Sequence, residues 1–216
     1  MWTKFNRTLK AASCYQSQRI ELKAVLVTLG VVSLIFILIQ AFAMSNRSGI
    51  EEYQYSVVKT YDGFEIREYE ASLFTSVKMA TNKYEEASSS GFRVLAGYIF
   101  GNNSDSQKIA MTSPVAMTMN DSMTMMFMVP RDLKKDELPK PNDSRITLKE
   151  EPAKTVAAIK FSGWANNEKL EKYKQKLSDL LVAENIAHTG KFIYLGYNPP
   201  YDVVNRRNEI IVEIME

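Results

Sequence analysis

One segment of the chain occurs twice, and this repeat limits the possible folds more than any other feature of the sequence. Residues 66–79, IREYEASLFTSVKM, align without a gap with residues 148–161, LKEEPAKTVAAIKF. Seven of the 14 aligned pairs are identical or similar: Ile/Leu, Arg/Lys, Glu/Glu, Ala/Ala, Val/Ile, Lys/Lys and Met/Phe. The repeat predicts two copies of one structural unit.

A helix signal follows each copy of the repeat. Asn82 precedes residues 83–100, and Asn166 or Asn167 precedes residues 168–186. An Asn side chain can accept a hydrogen bond from the first free N–H groups of a helix. The second segment carries Leu170, Tyr173, Leu177, Leu180 and Leu181, which recur at spacings of three and four and are typical of a helix with one buried face. The first ends in VLAGYIF, which is apolar almost all round, so we expect this end to be fully enclosed or to present its spare face to a ligand.

Two more strands follow each helix. They cover residues 108–119 and 123–129 in the first half, and residues 191–197 and 208–215 in the second. A Pro-rich, charged connection, residues 130–144, joins the halves. The sequence therefore predicts an α+β domain: a distorted antiparallel β-barrel of about eight strands with two helices packed outside. We expect it to be built from a duplicated β-β-α-β-β unit and preceded by one transmembrane helix.

The first strand pair is rich in methionine. Seven of the 11 methionines lie between residues 108 and 130. Strand alternation predicts that Met125 and its alternate neighbours face one side, while Met126 and Met128 face the other. A strand that is apolar on both faces needs a cover on both. Methionine fills irregular gaps in a core because it is flexible, and the same property suits contact with a flat aromatic ligand.

The N-terminal part contains a run typical of a membrane-spanning helix. Residues 24–44 form a stretch of 21 residues without a charge, enough to cross the ~30 Å hydrocarbon core of a bilayer. Residues 1–23 carry five basic side chains against one acidic. The positive-inside tendency therefore predicts a cytoplasmic tail, a signal anchor and a domain on the far side of the membrane, in a periplasm, a lumen or the extracellular space. Residues 45–52 are predicted to form a linker, and residues 53–216 the folded domain.

Two alternatives remain for the N-terminal segment. Residues 41–43, Ala-Phe-Ala, resemble a small-residue cleavage site, so the domain could be exported after signal cleavage. The apolar run is longer than the central region of an ordinary signal peptide, which favours a retained anchor. The start of the chain, which is basic and poor in acidic side chains, also fits an organelle-targeting leader.

The residue inventory excludes several classes of site. The chain has one Cys and one His, which excludes disulfide frameworks and Cys/His zinc sites. After the basic tail, 22 basic side chains face 24 acidic ones without a basic cluster. Nucleic acid is therefore not an expected partner.

Three further segments carry a family resemblance. KIAMTSPVAMTM, FSGWANNEKL and YNPPYDVVNRRNEIIVEI resemble the SOUL family of haem-binding proteins, and the likeness runs from about Tyr53 to Met215. The resemblance implies a distorted β-barrel with two helices, built from an internal repeat. It also implies affinity for haem or related tetrapyrroles, through a mostly hydrophobic surface with basic side chains near the propionates. A membrane-tethered, non-catalytic protein for haem buffering, delivery or scavenging is the expected function.

The candidate ligand-binding residues lie at the apolar end of the first helix and in the methionine hairpin. Arginines are added because a guanidinium group pairs with a carboxylate through a planar fork. The predicted set is Phe92, Arg93, Leu95, Ala96, Ile99, Met111, Met117, Arg206 and Arg207.

Iron ligation departs from the pattern of the family. Some members are thought to ligate haem iron through a histidine on an early strand, but the one histidine of this chain is His188, in a predicted turn. Met or Tyr can serve as an axial ligand. We expect hydrophobic capture of the tetrapyrrole without a protein ligand to the iron.

Two other functions fit the sequence. Similar barrels occur in small-molecule hydrolases and effector-binding domains, in which case Glu68 and Tyr69 are candidates for acid-base chemistry. The domain could also be an interaction module without a ligand.

Overall fold

The computed structural model describes residues 23, 25–42, 49–120, 122–199, 202 and 206–215. It separates into two compact units, residues 1–48 and residues 49–216. In the first unit, helix α1 (Val25–Phe42) has a mean hydropathy of 2.6 and exposes its apolar side chains. It is long and apolar enough to cross a membrane, as the sequence predicts, and a signal sequence has the same properties. The basic tail before residue 23 lies outside the described residues.

The second unit contains eleven strands and two helices in its described part. The strands are β1 (Glu51–Glu52), β2 (Tyr55–Tyr61), β3 (Phe64–Tyr69), β4 (Ser72–Lys78), β5 (Thr112–Ser113), β6 (Val115–Thr118), β7 (Thr124–Met128), β8 (Ile146–Glu151), β9 (Lys154–Phe161), β10 (His188–Gly196) and β11 (Asn208–Ile214). The helices are α2 (Tyr84–Ile99) and α3 (Asn167–Ala183), and the short 3-10 turn Lys135–Glu137 lies in the connection between the halves. Glu51 and Glu52, placed in the linker from sequence, form β1 and pair in parallel with β5.

Nine strands form one antiparallel sheet, and its order shows the repeat. The order is β2-β3-β9-β11-β10-β6-β7-β4-β8. β3 and β8 hold equivalent places in the two copies of the repeat, as do β4 and β9. The first strand of each copy pairs with the second strand of the other copy: β3 pairs with β9, and β8 pairs with β4. The two copies are therefore joined by an exchange of their first strands.

The sheet is an open half-barrel of nine strands, which corrects the expectation of a barrel of about eight. β2 and β8 are its two edges and do not pair with each other. The additional strand is β2, which lies outside the repeat and joins β3 through Asp62 and Gly63. Gly63 has a φ of +92°, which a glycine adopts without a steric cost.

The helices begin at different kinds of cap. Asn166 caps α3 as predicted, because its side-chain oxygen accepts the N–H of Lys169 at 2.8 Å. The prediction that Asn82 caps α2 is wrong: the capping position is Lys83, which makes no side-chain cap bond. Instead, the Oγ1 of Thr81 accepts the N–H of Lys83 at 3.1 Å. The first N–H of the helix itself, that of Tyr84, is accepted by Oδ1 of Asn167 at 2.7 Å.

The predicted second strand of the first half is interrupted. Residues 108–119 contain two short strands, β5 and β6, separated by Pro114. Proline has no N–H group to donate to a sheet ladder, so the strand breaks there. The Ser113–Pro114 peptide bond is cis.

Each face of the sheet has its own buried cluster. The helix-side cluster combines residues of α2 and α3 with alternate strand residues, including Met123, Met125 and Phe127. The inner cluster lies on the opposite face and includes Met126 and Met128 but no helix residue. The predicted alternation of the methionines is therefore confirmed.

Tyr53 shows how strongly the sheet curls. Its ring lies 4.5 Å from that of Tyr69 and 5.3 Å from that of Phe74. These two residues are in β3 and β4, the second and eighth strands of the sheet. The buried residues of both clusters lie entirely within residues 53–212, so the second unit contains its own complete core and can be studied alone as residues 49–216.

Candidate functional site

The apolar end of α2 is enclosed by the chain itself. Tyr98 is fully buried, and its hydroxyl donates to the carbonyl oxygen of Pro139 at 2.8 Å. Leu133 and Leu138, from the connection between the two halves, pack into the helix-side cluster. Of the two arrangements that the sequence allows for this end, the structure has the enclosed one.

Most of the predicted pocket residues are therefore core residues. Leu95, Ala96, Ile99 and Met117 are buried in the helix-side cluster, and Met111 is half-buried against it. The sheet covers one side of these residues, and residues 130–144 help to cover another. The structure keeps them away from solvent, so any direct contact with a ligand remains a prediction that requires the cover to move.

The exposed part of α2 forms a surface of a different kind. Phe92 is 38% exposed and Phe100, at the end of the helix, is 63% exposed. Ser89, Arg93 and Phe100 follow one line along the helix at spacings of four and seven. Phe92 lies beside this line and rests edge-on against Phe127 at 5.4 Å. We call Ser89, Phe92, Arg93 and Phe100 the α2 surface.

Arg93 differs from the other two predicted arginines in its surroundings. Its side chain is exposed and makes no hydrogen bond or ion pair within the described part of the chain. Arg206 donates to the carbonyl oxygens of Asn198, Pro199 and Asp202 at 2.7 to 3.2 Å. Its guanidinium group also lies 4.1 Å from the ring centre of Trp164. Arg206 therefore holds the turn before β11, whereas Arg93 is available to a ligand.

Arg207 is engaged inside the half-barrel. Its Nε donates to Glu209 at 3.0 Å, and its guanidinium group lies 3.7 Å from the ring centre of Tyr197. Arg67 meets the same carboxylate through two hydrogen bonds of 2.7 and 3.3 Å. Burial acts to lower the pKa of Arg67, but the hydrogen bond and charge of Glu209 outweigh it and raise the pKa. These contacts fix Arg67 and Arg207 as charged partners of Glu209.

The structure reveals a concave side that the sequence analysis did not consider. Two adjoining cavities, of ≈ 630 and ≈ 490 Å³, open on the face of the sheet away from the helices. They share Lys154 and Glu213. Both volumes are in the range of small-molecule sites. The signal in the sequence was a set of strand lysines in phase with the inner apolar residues, such as Lys154 with Val156.

The candidate acid-base pair does not converge. Glu68 is exposed, whereas Tyr69 is buried and its hydroxyl accepts a hydrogen bond from Arg67 at 3.3 Å. Burial raises the pKa of Tyr69 to about 12. A hydroxyl held in this way is a poor general acid or base near neutral pH.

His188 is the first residue of β10 and not part of a turn. Its ring is half-buried and lies 5.4 Å from that of Phe192, and its Nδ1 accepts the N–H of Gly190 at 3.1 Å. Within the described ranges, no group of three or more His, Cys, Asp or Glu side chains is arranged to hold a metal ion.

The fold and the repeat define an α+β half-barrel with two helices on its outer face. The chain belongs to the SOUL heme-binding protein family, which matches residues 50–213. Heme-binding protein 1 of Xenopus laevis is 29% identical over 155 residues, covering 68% of this chain and 81% of that protein. Heme-binding protein 2 of Mus musculus is 26% identical over 156 residues, covering 68% of this chain and 76% of that protein.

Solved structures of other proteins share the fold. The C-terminal domain of EcmrR has a TM-score of 0.56 at 12% identity, covering 76% of this chain and 98% of that chain. A hydrolase from Listeria innocua has a TM-score of 0.51 at 7% identity, covering 80% of this chain and 97% of that chain. At such identities the likeness concerns the fold alone.

Proposed function

We propose that this chain is a non-catalytic, membrane-anchored protein that binds haem or a related tetrapyrrole on the α2 surface, for haem buffering, delivery or scavenging. The observation that carries the proposal is the exposure of Phe92, Arg93 and Phe100 along one helix in a member of a haem-binding family. Exposed aromatic side chains on one helix are typical of binding surfaces.

The shape of the α2 surface suits a planar ligand. Phe92 and Phe100 are separated by eight residues, a rise of about 12 Å along the helix. Ala96 and Gly97 lie between these two residues in the helix, and neither has a large side chain that would stand between the aromatic rings. Edge-to-face and stacked aromatic contacts would stabilise a macrocycle there.

Charge at the α2 surface also supports the proposal. A propionate needs a cation that is not already neutralised, and Arg93 meets this condition among the described residues, whereas Arg206 and Arg207 are engaged elsewhere. A bound haem would supply its iron chemistry without a contribution from this surface, because Phe92, Arg93 and Phe100 are not iron ligands. The protein's own part is to hold the macrocycle and its carboxylates.

Helix α1 is proposed to hold this domain at a membrane. Its length and hydropathy match a bilayer-spanning helix, and the basic residues before it favour a cytoplasmic N-terminus. The half-barrel would then lie on the far side of the membrane, in a periplasm, a lumen or the extracellular space. Cleavage of a signal peptide would release the same domain to that compartment.

A hemin titration of residues 49–216 tests the function. We expect the Soret band of hemin to shift on binding. Phe92→Asp should weaken binding at least about 10-fold, because covering a Phe side chain contributes about 1.5–3 kcal/mol. Val182→Asp is the matched control, since Val182 is 70% exposed on α3. A spectrum that stays that of free hemin, or equal losses in both variants, would overturn the proposal.

A further inference from the structure

The smaller inner cavity has an apolar floor. Met126, Val156 and Ile211 line it and belong to the inner cluster, and Ile193 lines it as a half-buried residue packed against that cluster. The floor lies on the sheet face opposite the helices, so it is separated from the α2 surface by the sheet itself. Met126, Val156 and Ile211 are already buried, so Ile193 is the floor residue whose apolar surface a ligand would remove from water.

The rim of the same cavity is basic. Four lysines line it, Lys78, Lys149, Lys154 and Lys191, against the two glutamates Glu151 and Glu213. Glu151 is paired with Lys149 at 2.5 Å and with Lys154 at 2.7 Å.

Two of these lysines have no counter-ion in the part of the chain that the structure describes. They are Lys78 and Lys191, in contrast to Lys149 and Lys154. Lys78 ends β4 in phase with Phe74 of the inner cluster, so its side chain projects to the inner face. The cavity therefore offers two ammonium groups without an ion pair, against one carboxylate without an ion pair, Glu213, among the described residues.

Tyr53 adds an unpartnered polar group on the inner face. Its side chain is 5% exposed, and its hydroxyl has no hydrogen-bond partner among the described residues. Burial, and then the charge of Glu151, raises the pKa of Tyr53, so its hydroxyl is a neutral hydrogen-bond donor. Glu151 itself lines the cavity. A buried hydroxyl without a partner is unfavourable. Tyr53 does not itself line the cavity, so this group does not define the ligand's position.

We propose that the inner cavity binds an organic anion with an apolar body, such as an aryl or alkyl carboxylate or sulfonate, at a site separate from the α2 surface. The apolar body rests on the floor at Ile193, and the anionic group lies between Lys78 and Lys191. Haem is not required at this site, so the inference stands apart from the proposed function.

A pair of fluorescent probes tests the chemistry. 8-Anilinonaphthalene-1-sulfonate and N-phenyl-1-naphthylamine share one aromatic body, and the first alone carries a charge. We expect residues 49–216 to bind the sulfonate more tightly than the neutral probe. The double variant K78Q/K191Q should weaken the sulfonate at least about fivefold and leave the neutral probe unchanged, because charge-assisted contacts are lost.

Matched variants separate this site from a general effect of charge. K172Q/K176Q removes two exposed lysines from α3, with the same change of net charge, and should change neither affinity by more than about twofold. Ile193→Trp fills the cavity and should weaken both probes. The proposal is overturned if K78Q/K191Q binds the sulfonate as tightly as the unchanged protein does. It is also overturned if both double variants lose the same sulfonate affinity.

The same variants distinguish this inference from haem binding. K78Q/K191Q should bind hemin like the unchanged protein, and Phe92→Asp should bind the sulfonate like the unchanged protein. If K78Q/K191Q loses hemin while Phe92→Asp keeps it, the cavity is the tetrapyrrole site and a separate anion site is excluded. If hemin binding is absent altogether, the sulfonate result still decides the inference.

Discussion

Arg67 of β3 and Glu209 of β11 form a buried ion pair with two hydrogen bonds across the intervening strand β9, and both side chains are 0% exposed. Glu209→Gln leaves the Arg67 charge buried with only Glu65 as an ionic partner among the described residues, at 2.8 Å. We expect this change to lower the free energy of unfolding by about 3 kcal/mol, as for other broken buried pairs. Urea unfolding of residues 49–216 measures it.

The control for this prediction is Glu65→Gln. Glu65 is partly exposed, so the loss should be below about 1 kcal/mol. The double replacement R67M/E209L should cost less than Glu209→Gln alone, because no fully buried charge remains and Arg207 keeps Glu52 as an ionic partner. If Glu65→Gln and Glu209→Gln lower the free energy of unfolding equally, the buried pair contributes no more to stability than the partly exposed one.

Two glycines of α2 should respond in opposite ways to alanine. A Cβ on Gly97 would meet nothing closer than 3.9 Å, so Gly97→Ala should stabilise the domain by about 0.5–1 kcal/mol through helix propensity. A Cβ on Gly91 would lie 3.2 Å from the Cβ of Met125 and 3.4 Å from the Sδ of Met79. Gly91→Ala should therefore destabilise it by about 1–2 kcal/mol. Thermal or urea unfolding of both variants gives the comparison, and a gain at both positions would contradict the close packing.

Glu151 should make the stability of the domain fall in acid. Burial acts to raise the pKa of Glu151, but Lys149 and Lys154 outweigh it and lower the pKa below 4.5. Because the folded pKa is lower than the unfolded one, the contribution is present above pH 4.5 and is lost as the pH falls through the folded pKa. Between about pH 6 and about pH 3, the free energy of unfolding should fall less for Glu151→Gln than for the unchanged protein. An equal fall in the two proteins would contradict this role of Glu151.

The internal repeat allowed most of the fold to be predicted from the sequence. The likeness of residues 66–79 to residues 148–161 predicted that both halves share one arrangement, and the strand alternation placed Met125 and Met126 on opposite faces. β2 was missed although Asp62-Gly63 is a hairpin signal, because β2 has no copy in the second half. Pro114 could also have indicated the break between β5 and β6.

The site was less predictable than the fold. The sequence shows that VLAGYIF is apolar all round, but not that residues 130–144 cover it, because that cover depends on contacts such as Tyr98 with Pro139 across the domain. Likewise, Arg93 and Arg207 look alike in sequence. Only the folded chain shows that Arg207 is held by Glu209 while Arg93 is exposed.

The methionines allow the most direct test of the account, because they report on both faces of one sheet. Met79 and Met125 lie under α2 at Gly91, next to Phe92, whereas Met126 and Met128 face the inner side. The measurement is paramagnetic broadening of ¹³C-methyl methionine signals by ferric hemin in residues 49–216. We predict stronger broadening of Met79 and Met125 than of Met126 and Met128. Stronger broadening of Met126 and Met128 would place the tetrapyrrole inside the half-barrel and contradict the α2 surface as its site.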